Sequence, residues 1–306
     1  MITPKMFPPM KIHLAVDGSE HSFAAAQFIH DLPLLSDSEV TALGVLTPRN
    51  TPSQSILLAA LVGVQMIFQD SSVKVRLELL HGNPAEALTE YADQHKPDLL
   101  VVGAKGLRAT LGILLGGVAQ QVVEYSRWPV LVVRAPYAGF QCVLLVVDGS
   151  THSQCAVEYL TRFPFPEGMD VRVMHVLPPI TKFEYFLPSG RNLYSLADIT
   201  PASSYEIEQD IARQAQVEEQ VGQVLLKKTR EMLRKSGVEA DSVLKCGDAA
   251  TEILEYVKSN NIDLLVAGSR GLSAVKGWLL GSVSRKLVHY AGCSVLIVRS
   301  NPTLET

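Results

Sequence analysis

Two patterns of hydrophobic and polar positions alternate along the second half of the chain. Short runs rich in Val, Leu and Ile are separated by longer stretches in which apolar residues recur at helical spacing. The predicted strands lie at about 143–147, 171–176, 239–245, 262–267 and 294–298. Runs such as "IDLLVAG" are almost wholly apolar, which is typical of parallel strands buried on both faces. The pattern predicts an α/β fold with a doubly wound parallel sheet.

The chain contains this pattern twice. The matching segments are "KIHLAVDGSEHS" (11–22) with "CVLLVVDGSTHS" (142–153), residues 79–106 with 243–271, and "WPVLVVRAP" (128–136) with "CSVLIVRSN" (293–301). Self-similarity on this scale indicates two homologous domains. We place them at 1–138 and 139–306, each with five strands.

The second half carries an insertion between its second and third strands. Asp17 and Asp148 are 131 positions apart, whereas Gly103 and Gly268 are 165 positions apart, which leaves 34 extra residues at about 178–212. The stretch 178–204 is predicted as an irregular loop. Its partial aromatic anchors are Phe183, Tyr185, Phe186 and Tyr194.

The stretch 205–235 has the apolar spacing of an amphipathic helix, and Gly222 is a position where it could bend. We interpret this helix first as a packing element. A surface for a partner is the alternative.

Composition and charge narrow the functional classes. The 306 residues are 47% hydrophobic and 19% charged, with a formal net charge of −4. Such a chain has no broad positive field for nucleic acid, and no apolar run is long enough to span a bilayer. The four cysteines form no CxxC pair, which indicates a reduced, cytoplasmic setting.

A glycine-rich segment of the second half has the spacing of a phosphate site. Gly268 and Gly271 follow the predicted fourth strand, and Gly281-Ser282 precedes a stretch of helical character. Ligands of doubly wound sheets bind beyond the carboxyl ends of the strands, and a helix N-terminus there attracts phosphate. The spacing is neither that of a P-loop nor that of a dinucleotide fingerprint. It predicts a site for a polyphosphate, next to Asp148 at the end of the first strand.

The pattern Gly-x2-Gly-x9-Gly-Ser, preceded by a strand that ends "VVDGS", closely resembles the ATP-binding signature of the universal stress protein family. Both halves share the resemblance, so the chain looks like a tandem member. The resemblance implies that Asp148 lies on the adenosine side and that Val176 meets adenine through its backbone. Gly268 and Gly271 would border the ribose and the α-phosphate. The outer phosphates would meet Gly281, Ser282 and Val283, and a Mg or Mn ion would be held through the phosphates.

The first half departs from this pattern at one position. Asp17, Val45, Gly103, Gly106 and Gly116 keep their places, but Gly117 replaces the terminal Ser. One hydroxyl contact to phosphate is lost, so we expect weaker binding at this second site.

Other polar residues near the motifs carry weaker interpretations. Arg270, Lys105 and Lys276 are candidates to neutralise phosphate, with simple solvation as the alternative. His21 and His152 follow the two Asp residues, and we predict that they are solvated surface groups without a catalytic role. Structural burial is the favoured interpretation for Cys155 and Cys246.

The functional prediction is an ATP-binding stress-response protein whose nucleotide is a regulatory or structural ligand. The alternatives are an interaction scaffold without nucleotide and a slow ATPase or autokinase. An unidentified protein partner would be compatible with each of them.

The last strand of each half, at 130–135 and 295–300, should leave one sheet edge unpaired. Single-domain universal stress proteins dimerise through this strand, so the resemblance implies an intramolecular pseudo-dimer with antiparallel pairing. We expect Val132 and Val133 near Ile297 and Val298. Further homodimerisation of whole chains is not required.

Overall fold

The structure is a computed structural model that describes residues 7–47, 54–107, 114–179, 201–272 and 280–299, with only the backbone for 201–208. Phe183, Tyr185, Phe186, Tyr194 and Lys276 lie outside the described residues. Within those residues, no helix is both long and apolar enough to cross a membrane.

Strands and helices alternate through the described part of both halves. The first half contains β1 (Lys11–Val16), α1 (Glu20–His30), β2 (Glu39–Leu46), α2 (Gln54–Ile67), β3 (Lys74–His81), α3 (Pro84–His95), β4 (Leu99–Gly103), α4 (Gly117–Tyr125) and β5 (Val130–Val133). The second contains β6 (Cys142–Val146), α5 (Thr151–Arg162), β7 (Asp170–Leu177), α6 (Pro201–Lys235), β8 (Asp241–Cys246), α7 (Ala249–Ser259), β9 (Leu264–Gly268), α8 (Ser282–Tyr290) and β10 (Ser294–Val298). The five strands predicted in the second half are confirmed.

The inserted region differs from the prediction at one end. Residues 201–204 were expected in a loop but belong to α6, which begins at Pro201. Proline is well tolerated in the first turn of a helix, where its missing amide has no intrahelical partner in any case. Gly222 has a packing role, because a Cβ there would lie 3.0 Å from Leu244 Cδ1 and 3.1 Å from His175.

The described strands form one ten-stranded sheet in the order β3-β2-β1-β4-β5-β10-β9-β6-β7-β8. Pairing within each half is parallel, and β1 neighbours β4 as β6 neighbours β9, which creates the expected switch points. Helices α1, α2, α5 and α6 cover one face, and α3, α4, α7 and α8 cover the other. Each apolar layer contains side chains from both halves, so the halves share their core.

Strands β5 and β10 join the halves by antiparallel pairing, as predicted, but the expected register is wrong. Val132 lies opposite Val295, and Ile297 lies opposite Val130. The expected register is three residues away from the observed one. Both strands are buried on both faces, so no alternation of apolar and polar positions along them fixes the register. The Ser294 hydroxyl, which accepts from the Arg134 amide at 3.3 Å, contributes to the observed register.

Two arginines that follow these strands each reach into the opposite half. Arg134 Nη2 donates to the carbonyl of Val288, near the end of α8, at 2.9 Å. Its matching residue, Arg299, donates to the carbonyls of Val123 and Glu124, at the end of α4. A cation at a helix C-terminus satisfies free carbonyls and complements the helix dipole. Burial lowers the pKa of Arg134, and that of Arg299 to about 10.

His13 is buried within the first half, although its position in β1 matches Leu144 in β6. Neither ring nitrogen has a hydrogen-bond partner among the described residues, and the ring lies 5.0 Å from that of Tyr91. Burial, and then the nearby Lys11 and His95, lower the pKa of His13 to about 4. The residue therefore remains neutral in the folded protein at neutral pH.

Replacing Arg134 by Met should destabilise the chain, because the partly buried carbonyls of Val288 and Cys293 lose their donor. We expect the free energy of unfolding to fall by about 2–4 kcal/mol in denaturant titrations. Arg76→Met is the matched control, since the Arg76 side chain is 66% exposed and only forms a surface ion pair with Glu39. That variant should lose less than about 1 kcal/mol. Equal losses in the two variants would contradict a special role for Arg134.

Stability should fall as the pH drops from 6.5 towards 4, because His13 binds a proton more readily in the unfolded chain than in the folded one. The loss from this group is about 3 kcal/mol across that window. His13→Leu, which copies the residue of the second half, should flatten this dependence in pH-resolved denaturant titrations. The control is His30→Gln, a substitution on the protein surface. A His13→Leu chain as sensitive to acid as the wild type would refute the assignment.

Candidate functional site

A cavity of about 490 Å³ lies at the carboxyl ends of β6, β7 and β9 and at the N-terminus of α8. Its volume is in the range of small-molecule sites. The eight residues predicted for the main site all line it: Asp148, Val176, Gly268, Arg270, Gly271, Gly281, Ser282 and Val283. The fold thus brings the predicted residues together, while their contact with a ligand stays a prediction.

The equivalent cavity of the first half is smaller, at about 300 Å³. Its lining includes the six residues predicted for the second site: Asp17, Val45, Gly103, Gly106, Gly116 and Gly117. The pseudo-symmetry of the fold therefore extends to the two cavities.

Asp148 organises the turn that begins the main cavity. Its Oδ1 accepts from the Ser150 amide at 3.0 Å, and Ser150 in turn caps α5 by accepting from the Ser153 amide at 3.1 Å. The Ser150 hydroxyl also lies 3.4 Å from the Arg270 carbonyl, which connects this turn to the glycine-rich segment. Turn formation and a place in the cavity are therefore compatible for Asp148.

Two of the motif glycines are required by contacts within the protein. A Cβ at Gly271 would lie 2.6 Å from Asp148 Oδ2, and one at Gly268 would lie 2.6 Å from the backbone of His152. The first half repeats this, since a Cβ at Gly106 would lie 2.6 Å from Asp17 Oδ2. The sequence interpretation explained these glycines by access for a ligand. The structure adds close packing of the loop against the first turn as a separate reason.

The N-terminus of α8 faces the cavity without a side-chain cap. Gly281 is the N-cap residue, and its own amide donates to the Ser269 carbonyl at 2.8 Å. Glycine offers no side-chain oxygen, so the cap residue itself provides no side-chain acceptor for the following amides, beginning with Ser282 and Val283. A helix end of this kind attracts an anion.

Ser284 is a functional candidate that the sequence interpretation missed. Its buried hydroxyl donates to the Gly268 carbonyl at 2.8 Å and so fixes the start of α8 against the end of β9. Ala119 stands at this position in the first half and cannot make the bond. The difference is visible when "GSVSRK" (281–286) is compared with "GGVAQQ" (116–121), but the sequence interpretation used only Ser282, the last residue of the motif.

The main cavity also has more positive charge than predicted. Arg285 and Lys286 line it in addition to Arg270, whereas Gln120 and Gln121 stand at the matching positions of the first half. Arg285 is shared with a salt bridge to Glu124 across the junction, at 2.9 Å. Among the described residues that line the smaller cavity, Lys105 is the only cation.

The backbone of Val176 is directed towards the cavity. The carbonyl of Met174 accepts from Val147 on the side of β6, and that of Leu177 accepts from Gly247 on the side of β8. Because successive residues of a strand alternate sides, the polar backbone groups of Val176 point to the side of β6. The last register pair of β6 with β7 is Val146 with Met174, so Val176 lies beyond the end of that ladder.

Two predictions about single residues are wrong. His21 is half-buried, and its Nδ1 accepts from the Ala135 amide at 2.8 Å instead of facing solvent. Burial is the largest cause of its lowered pKa. Cys246 is exposed because it ends β8, an edge strand, whereas Cys155 is partly buried. His152 is also partly buried.

No group of three or more His, Cys, Asp or Glu side chains in the described ranges is placed to hold a metal ion.

Comparison with known proteins follows the same division into halves. The family model described as "Universal stress protein family" matches residues 9–134 and 139–299. A universal stress protein of Mycobacterium tuberculosis is 24% identical over 97% of this chain and 100% of its own length. Universal stress protein YxiE of Bacillus subtilis is 29% identical over 52% of this chain and 99% of its own.

Solved structures agree at the level of the fold. The crystal structure of a universal stress protein from Archaeoglobus fulgidus aligns with a TM-score of 0.63 and 18% identity, over 96% of this chain and 97% of that one. The family model covers nearly the whole of both halves, each of which carries the same strand order and the same cavity. The chain therefore belongs to the universal stress protein family.

Proposed function

We propose that this chain binds ATP in the cavity of its second half and that the nucleotide is a regulatory or structural ligand in a stress response. The observation that carries the proposal is the uncapped N-terminus of α8, which opens on a cavity lined by three cationic residues. Backbone amides and cations together favour a polyphosphate over a neutral ligand. We propose that the protein is located in the cytoplasm, because its four cysteines are free thiols.

The cavity suggests one orientation for the nucleotide. The backbone edge of Val176 that points to the side of β6 suits the donor and acceptor groups of adenine, and Asp148 lies beside Gly271 of the glycine-rich segment in the same cavity. The phosphates would extend towards Gly281, Ser282 and Val283, where the amides of α8 are available. A Mg or Mn ion would then be held mainly by phosphate oxygens, which divalent ions of this kind prefer.

The first half should bind the same ligand more weakly. It lacks the Ser282 hydroxyl, the bond that Ser284 makes and two of the three cations, and its cavity is smaller. Each difference reduces the attraction for phosphate or the order of the helix end that receives it.

Exchange of the terminal hydroxyl between the sites tests this assignment. Gly117→Ser should strengthen ATP binding at the first site by about 5- to 30-fold, because a charge-assisted hydrogen bond contributes about 1–2 kcal/mol. A Cβ at Gly117 meets no atom within 4 Å, so the new side chain fits. Ser282→Ala should weaken the second site to a similar extent. Both affinities are measured by calorimetry in the intact chain, since the halves share their core.

The control for the first site is Gly117→Ala, which adds the Cβ without the hydroxyl and should leave the affinity unchanged. Gly281→Val and Gly116→Val backgrounds silence one site at a time and assign each affinity. If Gly117→Ala and Gly117→Ser bound ATP equally, the hydroxyl would have no part in binding.

Thermal unfolding gives a second test. At about 100 times its dissociation constant, ATP should add about 2.7 kcal/mol to the stability of the chain, and Gly281→Val should abolish most of this gain. A Cβ at Gly281 would lie 3.3 Å from Arg270 Cα, inside the loop that is meant to receive phosphate. Gly116→Val should retain most of the shift.

An undiminished shift in Gly281→Val would place the ligand elsewhere. No shift in the unmodified chain, with or without Mg, would favour the scaffold alternative. Sustained phosphate release, or labelling of the protein that is lost in Ser282→Ala, would favour the ATPase or autokinase alternative.

A further inference from the structure

Helix α6 extends well beyond the core that it covers. It has 35 residues, whereas α2, its counterpart in the first half, has 14. Leu226 and Leu233 are buried in the shared apolar layer, but almost every residue from 209 to 221 is exposed or only partly buried. Helices in proteins are stabilised mainly by packing of one face, so a long exposed portion lacks its usual support.

Three exposed valines form a stripe along this helix. Val217, Val221 and Val224 are 54%, 63% and 67% exposed, and their spacing of four and then three residues places them on one face. Valine has a low helix propensity, and an exposed valine side chain contributes no hydrophobic stabilisation. The stripe has the spacing of a coiled-coil seam and is the apolar centre of an otherwise polar surface.

Charge is divided between the two ends of α6. The part up to position 219 contains five acids and one base: Glu206, Glu208, Asp210, Glu218 and Glu219, with Arg213, which lies 3.7 Å from Asp210 as an i,i+3 ion pair. The part from position 227 contains five bases and one acid: Lys227, Lys228, Arg230, Arg234 and Lys235, with Glu231. The helix dipole favours such a division only within the first and last turns, so it does not explain acids in the middle of the helix.

We propose that two copies of this chain associate through α6 in antiparallel orientation. Placing Val217 against Val221 of the second copy also sets Asp210 against Lys228 of the second copy, at both ends of the contact. The surface is thus complementary to itself, which is the requirement for a twofold dimer. The acidic part of each helix then faces the basic part of the other.

The division of charge favours a second copy of this chain as the partner that covers the valine stripe. Helix α2 also exposes apolar side chains, among them Val62 at 49% and Met66 at 64%, but it contains no charged residue that could select a partner or an orientation. Helix α6 provides both an apolar seam and a charge order that is satisfied by its own reversed copy.

Sedimentation velocity of the full chain over a range of concentrations tests the proposal. We expect a dimer whose dissociation constant rises about tenfold or more in Val221→Lys, because a charge would enter the seam without a partner. Val62→Lys on α2 is the matched control and should leave the dissociation constant unchanged. Circular dichroism of both variants establishes that the fold is retained.

Charge exchange tests the orientation. Asp210→Lys and Lys228→Asp should each weaken the dimer, whereas the double variant should restore it, since the antiparallel register pairs position 210 with position 228. Several results would overturn the proposal. They are a monomer at every concentration, a dimer that survives Val221→Lys, or a double variant no stronger than either single one. A monomer in which Val221→Lys only lowers the stability would show that the stripe is covered within the chain.

Discussion

The antiparallel contact between β5 and β10 is the constraint on which the rest of the structure depends. It turns two five-stranded sheets into one and leaves the junction without a free edge. Arg134 and Arg299 then secure the ends of α8 and α4 from the opposite half. These are the helices whose N-termini open on the two cavities. The other half therefore binds each of these helices at its C-terminal end, opposite the end that faces the cavity.

On this common frame the two cavities differ in a small number of side chains. The strand order, the Asp turn and the close glycine contacts are repeated in both halves. The differences concentrate at the start of one helix, where Ser282, Ser284, Arg285 and Lys286 replace Gly117, Ala119, Gln120 and Gln121. An anion responds to the local field of such a helix end, so a few substitutions there change affinity without disturbing the sheet. The two cavities thus share their framework of strands, turns and close glycine contacts but differ in volume and in charge.

The sequence predicted the features that are repeated or periodic. Matching segments indicated two domains, apolar runs located the strands, and the motif spacing selected residues that the fold brings into one cavity. Features that depend on contacts between distant residues were not predictable in this way. The predicted β5–β10 register was wrong because both strands are buried on both faces, which leaves no alternation of apolar and polar positions to fix it.

The same limit explains the errors on single residues. His21 was expected in solvent because it lies near the start of a helix, but the Ala135 amide, far along the chain, donates to its ring. The contacts of Arg134 and Arg299 could not be predicted from the sequence of either half alone, because each arginine donates to carbonyls of the other half. The replacement of Ala119 by Ser284 is visible in the sequence, but the bond of Ser284 to the Gly268 carbonyl forms only where β9 and α8 pack together, so its role was not predicted.

The long helix α6 also packs beside the turn that borders the main cavity. Leu225 Cδ2 lies 3.7 Å from the position of a Cβ at Gly149, within the turn that Asp148 and Ser150 organise. The valine stripe and the turn of the candidate nucleotide site thus lie on opposite sides of the same short stretch of helix. A ligand can influence association only if its affinity differs between two arrangements of the elements that connect the sites, and any such influence is reciprocal. In this fold the connecting element is the packing of Leu225 beside Gly149. The matching helix of the first half, α2, packs Ala60 beside Gly18 but contains no charged residue.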